Sequence, residues 1–307
     1  MKIIFMGTPD FAVPSLDKLR ETHEILCVVT QPDRPQGRGM KLMSMPIKFL
    51  ATQLGLKVFQ PEKISGITQE LKEMAPELVI VVACGHILTK EILAIPKLGC
   101  LNLHASLLPQ LRGPEPITWS IIKGMKKTGI TTMWMNEGID TGDIVFEKEI
   151  DILPDDTKGS LEKKMSFIGA DLLFETIKKI ENGSVPRIKQ SGEPTFAPII
   201  KKSECAIDWK KQAEEIRNFV RGLNPDHSAY TFIEGKRIKI HKVSVSDVNK
   251  ASSIPGEVVE ISGGNIFVGT GSGAVSLDEL QPEGKRVMTA KEYLAGHKIE
   301  KGMRLSE

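Results

Sequence analysis

Two polar residues interrupt what should be an unbroken apolar strand. In Leu101-Asn102-Leu103-His104 an amide and an imidazole alternate with leucines. Side chains alternate between the two faces of a strand, so Asn102 and His104 share one face and the leucines share the other. Strands buried on both faces of a parallel sheet usually read as continuous aliphatic runs. An Asn N–H can stabilise a developing oxyanion, and a His can accept or relay a proton near neutral pH, a combination suited to acyl-type transfer. The same two residues would serve equally as caps for backbone groups at a strand end. Asp140 is the candidate third member. It lies between Gly138 and Gly142, in a pattern that predicts a tight loop aiming its carboxylate in one direction. Beside His104 it would orient the ring and stabilise its cation; taken alone, it reads more simply as a turn cap.

The elements that would position these residues come from hydrophobic patterning. Residues 3–6 and 25–30 read as strands around a helix over 13–21, whose Pro14 falls in the first turn. The unit recurs as helices over 47–54 and 68–74 alternating with strands at 58–59 and 78–83, which predicts a doubly wound, Rossmann-like parallel sheet. In open α/β sheets ligands sit outside the carboxyl ends of the strands. Cys84-Gly85-His86 and the Asn102/His104 strand are therefore expected at one crevice, with His86 a ligand contact at most. Strands over 128–135 and 144–150 and a helix over 160–181 follow. Residues 185–203 have scattered Pro and Gly and little periodicity, and read as an interdomain linker. Beyond them a helix over 211–223 precedes short strands with Gly-rich turns, the pattern of a small OB-like β-barrel. The expected division is 1–189, a linker at 190–204, and 205–307.

Composition narrows the function classes. The 307 residues carry a formal charge of +2, and from Glu204 onward fifteen Lys/Arg balance fifteen Asp/Glu, so bulk charge marks no nucleic-acid binder, although a local basic face remains open. Gly7-Thr8-Pro9-Asp10-Phe11-Ala12 lacks the second and third glycines of a dinucleotide fingerprint, which argues against NAD. There is no Gly-Lys-Ser/Thr phosphate loop. The four cysteines show no metal-ligand spacing and read as buried thiols, so no metal is expected. The apolar start breaks at Gly7, too early for a signal-peptide core or membrane span, and a cytoplasmic protein is expected.

Cationic segments complete the inventory. Residues 31–41 form a loop with two prolines, two glycines and the cations Arg34, Arg38 and Lys41. It reads as an arm standing out from the sheet edge, suited to phosphates or else a plain solvated connection. In the C-terminal part Lys236, Arg237, Lys239, Lys242, Lys285 and Arg286 form either a phosphate-tracking surface or a solvated sheet face.

Asn102-x-His104, Ser106-Leu107-Leu108-Pro109 with Arg112-Gly113, and Asp140-Thr141-Gly142, in this order, resemble the folate-dependent formyltransferase family. The likeness extends over nearly the whole chain, through Gly7 to Ala12, the arm at 31–39, Ile207-Asp208-Trp209, Asn224-Pro225 and residues 280–285. The resemblance implies a transfer site of Asn102, His104 and Asp140, 10-formyltetrahydrofolate as co-substrate contacting Ser106, Leu107, Leu108 and Pro109, and initiator methionyl-tRNA as the partner. It further implies that Arg38 on the arm meets the tRNA acceptor end, with Arg34 and Lys41 as helpers, and that residues 205–307 form a tRNA-binding domain. Nothing in the sequence demands an oligomer, and a monomer is expected. Cys84-Gly85-His86 and Gly113-Pro114-Glu115-Pro116 depart from the family pattern, so the wall of the folate pocket is expected to differ there. The rival readings are a relative that formylates a small amine or hydrolyses the formyl donor, and a non-catalytic RNA-binding protein on a retained fold.

Overall fold

A computed structural model describes residues 1–36, 41–43, 45–183, 185–246 and 254–306. The chain divides into two compact units. One holds residues 1–116, 127–151 and 162–198, the other 117–126, 152–161 and 199–307.

The first unit is built on strands β1 (Lys2–Gly7), β2 (Glu24–Val29), β5 (Val58–Phe59), β6 (Leu78–Val82), β7 (Cys100–His104), β8 (Lys127–Trp134) and β9 (Ile144–Asp151), in the order β5-β2-β1-β6-β7-β8-β9. The pairs from β5 to β7 are parallel, with helices α1 (Val13–Leu19), α2 (Pro46–Gln53), α3 (Thr68–Glu73) and α4 (Lys90–Leu93) in the connections. Every residue of β6 is buried, as its unbroken aliphatic run requires. The sheet is parallel as expected from β5 to β7, and the expectation is corrected at one edge: β8 runs antiparallel to both β7 and β9. The short loop after Trp134 suffices for the reversal between β8 and β9; the β7–β8 connection, residues 105–126 with helix α5 (Pro116–Ile122), is long enough for either direction. From β1 the chain winds to β2 and β5 on one side, then returns to β6 on the other. The switch point falls between Gly7 and Val82, where Thr8 Oγ1 donates to the Cys84 carbonyl (3.0 Å).

Register separates the two faces of β7. Asn102 lies opposite Met133 and His104 opposite Thr131, while Leu101 and Leu103 lie opposite Trp134 and Thr132. The leucine face is covered by the long helix α6 (Lys158–Glu181). A Cβ on its buried Gly169 would meet Leu103 Cδ2 at 2.9 Å and Ile130 Cδ1 at 3.3 Å, and its Thr176 hydroxyl bonds that of Thr132 (3.1 Å). Cys27, Cys84, Cys100 and Cys205 are all buried thiols. Burial pushes the Cys27 and Cys100 thiols up to about 12 and Cys84 to about 11, so these three remain protonated packing groups.

The arm leaves the sheet after β2 as a two-stranded hairpin, β3 (Arg34–Gln36) and β4 (Lys41–Met43). Its base is fixed at Asp33, whose carboxylate pairs with the Lys48 ammonium and accepts from Gln60 Nε2 (2.9 Å).

In the second unit β10 (Ala229–Ile233), β11 (Lys236–Ser246), β12 (Val258–Ser262), β13 (Asn265–Gly269), β14 (Ala274–Pro282) and β16 (Leu305–Ser306) form an antiparallel sheet in the order β12-β13-β14-β11-β10-β16, with β15 (Met288–Thr289) paired to β14. Register shifts around Lys242 curl it. Residues 302–306 bond on both sides. Val258 exchanges backbone bonds with Gly302 and Met303, and Leu305 N–H donates to Gly256, while Leu305 and Ser306 pair with β10. Helix α7 (Ala213–Leu223) turns Ala213, Ile216, Val220 and Leu223 into the core with Trp209 and Ile240, a 3-4-3 spacing that makes one apolar stripe.

Two outcomes follow from this packing. Gly169→Val, which forces a branched side chain against Leu103 and Ile130, is expected to destabilise the protein by about 1–3 kcal/mol in urea unfolding. Lys48, and after it Gln60, hold the Asp33 carboxyl below its ordinary range. Its stabilising contribution is therefore full above the unfolded-state value and lost as pH falls through the lower folded value. Unfolding free energy measured from neutral pH into the acid range should fall less steeply for Asp33→Asn than for the natural protein.

Candidate active site

The face of β7 away from α6 presents Asn102 and His104, 8 % and 6 % exposed. The His104 ring is held from both ends. Nε2 lies 3.1 Å from the Leu111 carbonyl; a carbonyl only accepts, so Nε2 carries the proton and donates. That leaves Nδ1 facing Asp140, 3.7 Å from Oδ1. The other Asp140 oxygen accepts the Gly113 backbone N–H (2.8 Å). Asn102 makes no side-chain hydrogen bond among the described residues, so its amide remains available to a ligand. His104 and Asp140 are thus neighbours, and Asn102 shares the face of β7 that carries His104.

The loop after β7 is folded back onto the same face. Thr131, opposite His104 on β8 and fully buried, donates from Oγ1 to the Ser106 carbonyl (2.7 Å) and accepts the Leu108 N–H (3.2 Å). Leu107 lies directly over Gly129, where an added Cβ would approach Leu107 Cδ2 to 2.3 Å. Ser106 is turned inward, its hydroxyl donating to the Gln110 carbonyl (2.5 Å). Leu108 is buried with Met133 and Ile144, while Leu107 and Pro109 keep part of their surface exposed. Among the four residues predicted to meet folate, the side chains left to a ligand are thus chiefly Leu107 and Pro109.

Arg34 is exposed on β3 and Lys41 opens β4; Arg38 lies outside the described residues. His86 is half-buried, and desolvation, opposed by Glu62, lowers the pKa of its ring.

Several residues that hold the site escaped sequence reasoning. Thr131 lies in a strand that also holds Thr128 and Thr132, so its type alone does not single it out. Thr195 accepts the Leu111 N–H (2.9 Å), and Arg112 exchanges backbone bonds with Thr195 and Ala197 (2.9 and 2.8 Å). These partners come from residues 185–198, the segment read as linker, which lies within the first unit. Gln190 belongs to the same segment, and no local pattern marks it. No helix among the described residues is long and apolar enough to cross a membrane.

Known proteins share the sequence and the fold of this chain. The formyl transferase family model matches residues 1–177, and that of the formyl transferase C-terminal domain matches residues 199–298. The methionyl-tRNA formyltransferase of Thermodesulfovibrio yellowstonii is 49 % identical over 98 % of this chain and 97 % of its own. That of Caldanaerobacter subterraneus subsp. tengcongensis is 48 % identical over 98 % and 99 %. In fold, the chain is similar to HypX from Aquifex aeolicus in complex with tetrahydrofolic acid, with a TM-score of 0.65 at 17 % identity over 99 % of this chain; it spans about half the length of HypX. With both family models matched and near-half identity sustained from end to end, the chain belongs to the formyl transferase family.

Proposed function

We propose that this enzyme transfers the formyl group of 10-formyltetrahydrofolate to the α-amine of methionine esterified to initiator tRNA, acting as a cytoplasmic monomer in translation initiation. The observation that carries the reading is the His104–Asp140 pair beside an unpartnered Asn102. One C–N bond forms at the formyl carbon as the bond to folate N10 breaks, and one proton passes from the amine to N10. Asn102 donates to the oxyanion of the tetrahedral intermediate. His104 already donates through Nε2 to Leu111, so Nδ1 is the atom that takes the amine proton. Asp140 stabilises the resulting imidazolium and steers the proton towards N10. The turn over Ser106, Leu107, Leu108 and Pro109 forms one wall for the folate, through Leu107, Pro109 and its backbone. The tetrahydrofolic acid bound in HypX is in keeping with a folate co-substrate on this fold.

In this reading the transfer residues lie within residues 1–189, and residues 190–204 connect the two domains while their first part braces the site. Residues 205–307, an OB-like barrel, bind tRNA through the lysines and arginines of β11 and the β14–β15 turn. On the arm, Arg38 meets the acceptor end with help from Arg34 and Lys41. The full-length likeness to methionyl-tRNA formyltransferases favours this acceptor over a small amine.

Asn102→Ala should lower kcat by about 10²–10³ while the protein unfolds at an unchanged temperature; turnover near that of the natural protein removes Asn102 from the transfer step. With charged initiator tRNA, charged elongator tRNA and free methionine as acceptors, the initiator should be strongly preferred. Arg38→Ala should weaken transfer to it without altering folate binding in titration calorimetry. Consumption of the formyl donor with no tRNA formylated would point instead to a small-molecule transferase or a hydrolase.

A further inference from the structure

Residues 185–198 are tied to the site at successive points. Ile188 exchanges both backbone hydrogen bonds with Ile144 at the start of β9 (2.8 and 3.0 Å). The Arg187 guanidinium lies 4.6 Å from the Trp134 ring centroid. This register delivers Gln190 to the loop that carries Asp140. Its amide nitrogen donates to the carbonyls of Asp140 (2.8 Å) and Gly142 (2.9 Å), and its amide oxygen accepts from Arg112 Nε (3.1 Å) and Nη2 (2.6 Å). A primary amide offers two N–H groups and two lone pairs, and all four are engaged.

The loop needs such a fastening. Asp140 has φ +50°, a left-handed conformation that costs an L residue energy and persists where the surroundings over-determine it. Two residues on, Gly142 is pressed against the end of β8, where an added Cβ would fall 1.6 Å from the Trp134 carbonyl oxygen.

We infer that Gln190, braced by Arg112, is a positioning residue for the transfer step. It fixes the backbone of Asp140 so that one carboxylate oxygen stays on the Gly113 N–H and the other faces His104 Nδ1. Gln190 acts only through Asp140. The inference rests on the reading of His104 and Asp140 as the proton-handling pair. The bonding pattern selects the residue type. Glutamate would keep Arg112 but set oxygen against two carbonyls, leucine would lose all four bonds, and asparagine is a methylene too short.

The test compares the natural protein with Asp140→Asn, Gln190→Leu and Gln190→Glu. The His104 ring signals are recorded by ¹H–¹⁵N NMR, and kcat and KM are measured with formyl donor and charged initiator tRNA. Both Gln190 variants should move the Nδ1 signal towards its position in Asp140→Asn. They should lower kcat about 10- to 100-fold, since a displacement near 1 Å can cost 10² in rate, with both KM values within twofold. Should leucine unfold the protein, Gln190→Glu retains the Arg112 contact and decides alone. A His104 signal identical to that of the natural protein overturns the inference, whether or not kcat falls, as does an unchanged kcat beside an inactive Asp140→Asn. If Asp140→Asn itself keeps full kcat while moving the His104 signal, the proton-handling reading has failed instead, and the NMR comparison still decides whether Gln190 positions Asp140.

Discussion

One hydrogen bond governs the chemistry open to this site: the Nε2–H of His104 is committed to the carbonyl of Leu111. A neutral imidazole has one donor and one acceptor, so engaging the donor on the main chain turns the acceptor towards Asp140. The bond exists only because the chain after β7 doubles back over the strand it has just left. That return is anchored by Thr131 on one side and Thr195 on the other. The site is therefore less a property of three residues than of a loop held shut at both margins.

The same strand shows how a sheet can be both core and site. On one face of β7 the leucines lie under α6, which approaches closely enough that Gly169 has no room for a side chain. On the other face the strand's own following loop folds back over it. Placing β7 where the sheet changes from parallel to antiparallel pairing supplies this asymmetry. The parallel side brings a rigid aliphatic neighbour in β6. The antiparallel side brings Thr131, whose hydroxyl can bond a loop while its branched body suits a strand.

Much of this was legible in the sequence because it depends on local periodicity. Alternation placed Asn102 and His104 together, glycines around Asp140 marked a tight loop, and the aliphatic run in β6 marked a central strand. The direction of β8 was not legible, since an apolar strand reads alike in either sense and pairing is decided by partners far away in the chain. Gln190 and Thr195 were invisible for the same reason. Their value comes from meeting residues 50 and 84 positions distant, and a polar stretch with scattered Pro and Gly reads as linker whether or not its hydrogen bonds are made at home.

β12 and β10, which flank the rest of the curled sheet, both find partners in residues 302–306. A strand without a partner offers a row of N–H and C=O groups to any other chain, which is the usual route to edge-to-edge aggregation. This segment acts as a hem, engaging Val258 on one margin and Phe232 and Ile233 on the other. One stretch of five residues, no longer than either strand, thus ties together the two margins of the sheet.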